Sequence, residues 1–188
     1  MRIIAGAAKG RRLKTRKGTE TRPTADMVKE SLFNIIGEKM PGARFLDLFA
    51  GNGGVGLEAL SRGAAFCLFI EKNAQCVKII KDNLQLCGLN HLAEVRRGEL
   101  PAALNGIQLQ FDIIFLDPPY HSPALKTTVG KISQLHLLAP EGLLIAEHHM
   151  RDNDWFPKTD WRLVREKRYG ETVLAFLVPA AAFAGKRE

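Results

Sequence analysis

Hydrophobic and polar positions along the chain change phase several times, and each change marks an element. Between residues 2 and 16 the pattern alternates weakly around Gly6 and Gly10, which predicts a short hairpin pairing residues 2–5 with residues 11–15. From Thr24 the period lengthens. A threonine cap and Asp26 in the first turn precede Met27, Val28, Leu32, Phe33, Ile35 and Ile36 at helical spacing, stopped by Gly37 and Pro41. From Arg44 onward, apolar runs of strand length alternate with longer amphipathic segments. RFLDLFA is a strand ending at a glycine cluster, GVGLEALSRGA a helix closed by Gly63, AFCLFIE a second strand, and NAQCVKIIKDNLQLCG a helix ended by Gly88. AEVRRG, FDIIFLD and GLLIAEHH are three more strands, separated by a short helical segment ELPAALNG and a helix SPALKTTVGKISQLHLL. FDIIFLD is almost continuously apolar, as a strand covered on both faces must be.

Repeated strand–helix order predicts an α/β fold: a Rossmann-like, doubly wound, mostly parallel sheet with helices on both faces. WRLVREKRYG and ETVLAFLVP flank Gly170 as an antiparallel hairpin at one edge, and AAAFAGKRE is a tail. The pattern divides the chain into an arm, 1–22, and a main domain, 23–188, without internal repeats or a low-complexity linker.

Composition narrows the class. The chain has 188 residues, 46% hydrophobic and 25% charged, enough for one good core. Its apolar runs stop well short of the about 20 residues a membrane helix needs. The start lacks the apolar core of a secretory signal, so a cytoplasmic protein is expected. Cys67, Cys76 and Cys87 form no CxxC pair and have no histidine at zinc-ligand spacing, so reduced thiols and no metal are expected. Charge is more informative. The net charge is +7, and residues 1–22 hold eight basic side chains against Glu20 alone, while the remainder balances. Arg2, Lys9, Arg11, Arg12, Lys14 and Arg16 thus give the arm the footprint expected of a phosphate-contacting element, with a solvated basic tail as the alternative.

Candidate chemistry collects where an open α/β sheet binds ligands, at the carboxyl ends of its strands. After the first strand, Gly51, Gly53 and Gly56 satisfy G-x-G-x-x-G at a strand-to-helix turn, where a ligand can approach the backbone and free N–H groups. Glu71 follows 20 positions after Gly51, placed for ribose hydroxyls. Spacing alone also admits NAD. Asp47 opposes it, because a carboxylate before the turn repels a pyrophosphate but suits a ligand with cationic groups, such as S-adenosylmethionine. Glu99 after the third strand can reach an adenine amino group, with Leu100 as an apolar wall, or serve as a solvated helix-start carboxylate.

The fourth strand ends in Asp117-Pro118-Pro119-Tyr120. Two prolines stiffen the turn and fix the carbonyl directions. The Asp117 carboxylate and the Pro118 carbonyl then make two acceptors in the cofactor crevice, a match for one exocyclic NH2, and Tyr120 offers a stacking face. His148 and His149 read as loop structure after the fifth strand, and Trp155 and Trp161 as core or hairpin packing.

DPPY following DLFAGNG resembles class I S-adenosylmethionine-dependent methyltransferases that act on exocyclic amino groups. Together with MRIIAGAAKGRRLKT, ETRPTADMVKESLFNII, FLDLFAGNGGVGLEALSRGA and YGETVL in order, nearly the whole chain resembles the bacterial RsmD family, 16S ribosomal RNA guanine-N(2) methyltransferases. This chain has Asn52 and Glu99 where that family usually carries Ser and Asp. The resemblance implies a seven-stranded sheet, and S-adenosylmethionine held by Asp47, Phe49, Ala50, Gly51, Asn52, Gly53, Glu71, Lys72, Glu99 and Leu100, with Arg22 and Thr24 also binding it near the active-site mouth. It makes Asp117, Pro118, Pro119 and Tyr120 catalytic. It implies as partner 16S ribosomal RNA or an assembling small ribosomal subunit, met by a monomer without metal or membrane. An adenine 6-amino methyltransferase remains open, since the tetrapeptide serves either amino group. A protein-glutamine methyltransferase would carry Asn at position 117. A dehydrogenase would need a substrate domain for which residues after 120 leave little room, and a binding module with a vestigial pocket would not need the tetrapeptide.

Overall fold

The computed structural model describes residues 1–16 and 23–183, with only the backbone of 23–26, 182 and 183. The chain forms two compact units, Met1–Glu99 and Leu100–Glu188.

The first unit comprises α1 (Pro23–Ile36), β1 (Arg44–Leu48), α2 (Gly54–Ser61), β2 (Phe66–Glu71), α3 (Ala74–Cys87) and β3 (Ala93–Arg97). Its strands are ordered β3-β2-β1 and all pair in parallel, with Leu48 beside Ile70 and Glu71 beside Arg97. Parallel pairing brings three carboxyl ends to one edge. Phe45, Leu46, Leu48, Phe69, Ile70 and Leu57 are fully buried, as the continuous apolar runs require. The Asn73 side chain caps α3 by accepting from the Gln75 and Cys76 N–H groups, and Gly88 closes it at φ 70.

The arm is the expected hairpin, shortened: the Ile3 N–H donates to the Arg11 carbonyl at 3.0 Å and the Leu13 N–H to the Met1 carbonyl at 3.1 Å. Among the described residues its strands reduce to one antiparallel bridge, Arg2 to Arg12. The reason is competition for backbone donors. The Ile4 and Ala5 N–H groups donate to Glu58 Oε2 and Oε1 at 2.8 and 3.0 Å, and those of Ala7 and Ala8 to the Ser61 carbonyl and hydroxyl. Glu58, fully buried on α2, also receives Arg62 Nε at 2.8 Å and lies 3.6 Å from Lys29 Nζ, which donates to the Arg2 carbonyl. Ile3, Ala8 and Leu13 are buried, so the arm is docked along α2. At Gly6, in the left-handed region at φ 83, any Cβ would collide with the Ser61 carbonyl.

The second unit comprises β4 (Phe111–Leu116), α4 (Ala124–Gln134), β5 (Leu138–His149), β6 (Trp161–Tyr169) and β7 (Thr172–Pro179), ordered β4-β5-β7-β6. β4 and β5 are parallel, while β7 is antiparallel to both β5 and β6. The chain therefore has the expected seven-stranded, mostly parallel sheet ending in an antiparallel hairpin. Two boundaries move. α4 is shorter and β5 longer than the sequence pattern suggests, because the Phe111 N–H bonds the Leu137 carbonyl and Phe111 pairs with Leu138, drawing that end into the sheet. The helical segment expected over ELPAALNG is a single 3-10 turn, Ala102–Leu104, with Leu104 as its one buried residue. Trp155 and Trp161 are buried, as expected of packing residues. No helix of the described residues is long and apolar enough to cross a membrane.

Candidate active site

In the first unit the sheet edge carries a loop held from beneath. Phe49 occupies the left-handed region at φ 58, uncommon for a residue with a side chain, and turns the chain out of β1. The Ala50 N–H reaches the Ile70 carbonyl at 3.2 Å, and the Gly53 N–H reaches the Ala50 carbonyl at 2.7 Å. Glu71, at the end of β2, binds the loop tip: Oε2 accepts from the Gly51 N–H at 2.9 Å and Oε1 from the Asn73 N–H at 2.8 Å. A carboxylate retains further lone pairs, so Glu71 can still accept from hydroxyls.

The three glycines do different work. A Cβ on Gly51 would meet nothing nearer than the Phe49 carbonyl at 3.9 Å, so this face of the loop is open. A Cβ on Gly53 would crowd Ile80 at 3.1 Å and Leu57 at 3.3 Å, and one on Gly56 would strike the Phe69 ring. Only the first glycine leaves space for a ligand; the other two allow packing against α3 and β2. Asp47 differs from the expected ligand-facing charge. It is 2% exposed, and its Oδ2 accepts from the Gly56 N–H at 2.9 Å, fixing the start of α2. Burial, with the Glu71 charge adding to it and the Gly56 bond opposing it, pushes its pKa up to about 8.

Asn52 ties this loop to the arm. Its Oδ1 accepts from the Arg16 N–H at 3.3 Å, and its carbonyl accepts from Asn83 Nδ2 at 3.2 Å. Asn83 in turn brackets Lys14, accepting from its N–H at 2.8 Å and donating to its carbonyl at 3.0 Å. Glu99 is exposed beyond β3, with Oε1 3.6 Å from Lys72 Nζ. Leu100 is half-buried at the start of the second unit, Arg22 lies outside the described residues, and Thr24 contributes only its helical backbone. The six arm cations Arg2, Lys9, Arg11, Arg12, Lys14 and Arg16 are all exposed, and Lys14 pairs with Asp82 at 3.0 Å.

In the second unit the tetrapeptide follows β4, with Pro118 buried and Asp117, Pro119 and Tyr120 exposed. The Tyr120 hydroxyl lies 2.7 Å from Thr172 Oγ1 and donates to Glu147 Oε1 at 3.4 Å. Its ring meets His149 edge-on, centroids 5.5 Å apart, and His149 packs against His121 at 4.6 Å. Asp152 braces this cluster, with Oδ1 3.0 Å from His121 Nδ1 and Oδ2 accepting from the His149 N–H at 3.0 Å. Burial raises the pKa of both Glu147 and Tyr120.

Loop histidines were expected here, but His148 and His149 belong to β5 and are buried, His148 beside Val173 and His149 beside Thr172. Glu147, His149, Thr172 and His121 are functional candidates that sequence reasoning missed. The available signal was polar residues, EHH, at the carboxyl end of an otherwise apolar strand. Among the described residues no cluster could hold a metal ion.

A parallel sheet whose first strand runs into an open-faced glycine loop, with an acid ending the second strand, defines a Rossmann-like nucleoside-cofactor fold. Comparison with known proteins makes this specific. The chain belongs to the family described as conserved hypothetical protein 95, whose model matches residues 1–178. It is 42% identical over 180 residues to YlbH of Bacillus subtilis, covering 93% of this chain and 97% of that one. It is 35% identical over 172 residues to ribosomal RNA small subunit methyltransferase D of Escherichia coli, covering 91% of this chain and 86% of that one. Among solved structures, yhhF of Escherichia coli matches with TM-score 0.85 at 32% identity, over 95% of this chain and 97% of that one. An RNA methyltransferase from Salinibacter ruber in complex with S-adenosyl-L-homocysteine shares the fold at TM-score 0.63 and 18% identity, over 85% of this chain and 95% of that one.

Proposed function

We propose that the chain is an S-adenosylmethionine-dependent RNA methyltransferase that modifies the exocyclic 2-amino group of a guanine in 16S ribosomal RNA. It acts as a cytoplasmic monomer on the RNA or on the assembling small subunit. The observation that carries this reading is the Asp117–Tyr120 turn, its tyrosine anchored by Thr172 and Glu147, in a chain whose first unit holds an open-faced glycine loop. The name of the Escherichia coli relative supports the substrate class.

S-adenosylmethionine, when bound, supplies a methyl group on a sulfonium. Gly51 would leave room for it beside the loop, Glu71 would accept hydrogen bonds from its ribose hydroxyls, and Glu99 would take the adenine side. Asp47 acts beneath, holding Gly56 and the start of α2. The guanine amino group is conjugated with its ring and is a poor nucleophile. The Asp117 carboxylate and the Pro118 carbonyl accept its two N–H bonds and stabilise the positive charge that grows on nitrogen during attack. After transfer the nitrogen is acidic and gives its proton to Asp117 or to water. The target base leaves its stack to be reached, and the Tyr120 ring replaces the lost stacking. The arm cations hold surrounding phosphates, supplying affinity and not base identity.

The test incubates the protein with radiolabelled S-adenosylmethionine and, separately, unmodified small subunits, naked ribosomal RNA and DNA, then identifies the labelled nucleoside. N(2)-methylguanosine from RNA or subunits is expected. Label in methyladenine overturns the base, and the absence of label in every arm overturns the enzymatic reading.

A further inference from the structure

β6 is an edge strand, WRLVREKRY, whose residues 162–168 are all exposed. Its charge is unequal on its two faces, for a reason the sequence spacing hides. The pairing with β7 slips between Leu163 and Arg165, so Val164 is an extra residue in a bulge. Residues directly opposite each other in an antiparallel ladder share a face. Leu163, Glu166 and Arg168 stand opposite Leu177, Ala175 and Val173 on one face. Arg162, Arg165, Lys167 and Tyr169 stand opposite Val178, Phe176, Leu174 and Thr172 on the other. Without the bulge Arg162 and Arg165, three apart, would point in opposite directions.

The two faces differ in chemistry. Leu163, Glu166 and Arg168 line a cavity of about 570 Å³ with Trp155, Asp152 and Asp154, a surface of mixed charge. The other face of β6 carries three cations and a tyrosine with no β6 carboxylate among them. Side chains two apart on a strand face are separated by about 7 Å, on the scale of neighbouring phosphates along an extended nucleic-acid strand. The row also leads somewhere. Tyr169 stands opposite Thr172, whose hydroxyl is 2.7 Å from that of Tyr120. In the same ladder His149 and Glu147, the other Tyr120 neighbours, pair with Thr172 and Leu174 and so share this face.

We propose that Arg162, Arg165 and Lys167 form a second RNA surface, a phosphate track along β6 that ends at the base-holding Tyr120. This rests on the methyltransferase reading and adds to it a surface separate from the basic arm. The track gives the RNA strand that bears the target base a fixed approach to the tetrapeptide.

The test compares Arg165→Glu/Lys167→Glu with Arg168→Glu, a charge reversal on the opposite face of the same strand. Binding to transcribed 16S ribosomal RNA is measured by filter retention over a salt series, methyl transfer is measured in parallel, and S-adenosylhomocysteine binding checks the fold. The double variant is expected to bind RNA about tenfold or more weakly, with a salt slope lower by about 1.5, a raised RNA KM and an unchanged kcat. Arg168→Glu is expected to stay within about twofold of the unmodified protein in affinity, and the charge-preserving Arg165→Lys/Lys167→Arg to retain full affinity, if phosphate contact sets the slope. Equal affinity of the double variant and the unmodified protein, or equal damage from Arg168→Glu, overturns the track. Binding is read independently of transfer, so an unmodified protein that methylates nothing overturns the enzymatic reading, while the difference between faces still decides the track.

Discussion

The two units position their functional groups by opposite means. In the first, acidic side chains, Asp47 and Glu58 buried and Glu71 half-buried, grip backbone: Asp47 holds Gly56, Glu71 holds Gly51 and Asn73, and Glu58 holds Ile4 and Ala5. In the second, side chains from four segments hold one another at a partly exposed edge, with Tyr120 leaning on Thr172, Glu147 and buried His149, and His121 on Asp152. A carboxylate that accepts main-chain N–H bonds in a buried site fixes a loop before any ligand arrives. Side chains meeting at a rim fix an orientation but keep the rotamer freedom with which a large, irregular substrate is accommodated. Preformed loop and adaptable rim are the arrangements that the proposed cofactor and the proposed RNA substrate would each require.

The comparison can be broken by single substitutions. Glu58→Ala should be the most damaging to the fold, since it takes the counter-charge from buried Lys29 and the acceptor from the Ile4 and Ala5 N–H groups together. A loss of about 3–5 kcal/mol in urea unfolding is expected, and a loss below about 1 kcal/mol would mean the arm is not held this way. Asp117→Ala should lower methyl transfer by about 10²–10³-fold while S-adenosylhomocysteine binding, measured by calorimetry, is unchanged. Weakened binding of that product would show that the two regions are not separable. Tyr120→Ala should cost about 1–3 kcal/mol in kcat/KM through lost stacking, and Tyr120→Phe less, because only the hydroxyl anchor goes. Equal effects from the two variants would shift the weight from the ring to its bonds with Thr172 and Glu147.

The smallest effect concerns pH. Between about pH 4 and pH 8 folded Asp47, with its pKa raised to about 8, keeps a proton that the unfolded chain has released. Its contribution to stability is therefore complete below the unfolded value and falls as pH rises toward 8, by at most ~1.4 kcal/mol per pH unit. Asp47→Asn, which keeps an acceptor for Gly56, should flatten that dependence when urea midpoints are compared at pH 5.5, 7 and 8.5. An unchanged slope would place the proton elsewhere.

Much of this was legible because it is local. Apolar runs such as FDIIFLD, the glycine cluster after Leu48 and the DPPY turn carry their meaning within a few residues. What was not legible is held by contacts far apart in the chain. Glu58 reads as an ordinary helix acid in GVGLEALS, and only the docking of residues 4 and 5 onto α2 shows why it is buried. Thr172 and Glu147 reach Tyr120 through the pairing of β5 with β7, which no single segment encodes. The two-sidedness of β6 depends on one inserted residue, Val164, which scrambles the alternation a reader would count.

Gly6 and Gly10 have nearly the same backbone conformation, φ 83 and φ 82, yet a Cβ at Gly6 collides with the Ser61 carbonyl while Gly10 has nothing within 4 Å. The consequence is one of mutational tolerance. Position 10 can drift to asparagine at the cost of a left-handed residue, about 1 kcal/mol, so this side of the turn tolerates a side chain. Position 6 admits no side chain while the arm stays docked. One side of the turn is thus open to evolutionary change, and the other is closed to it.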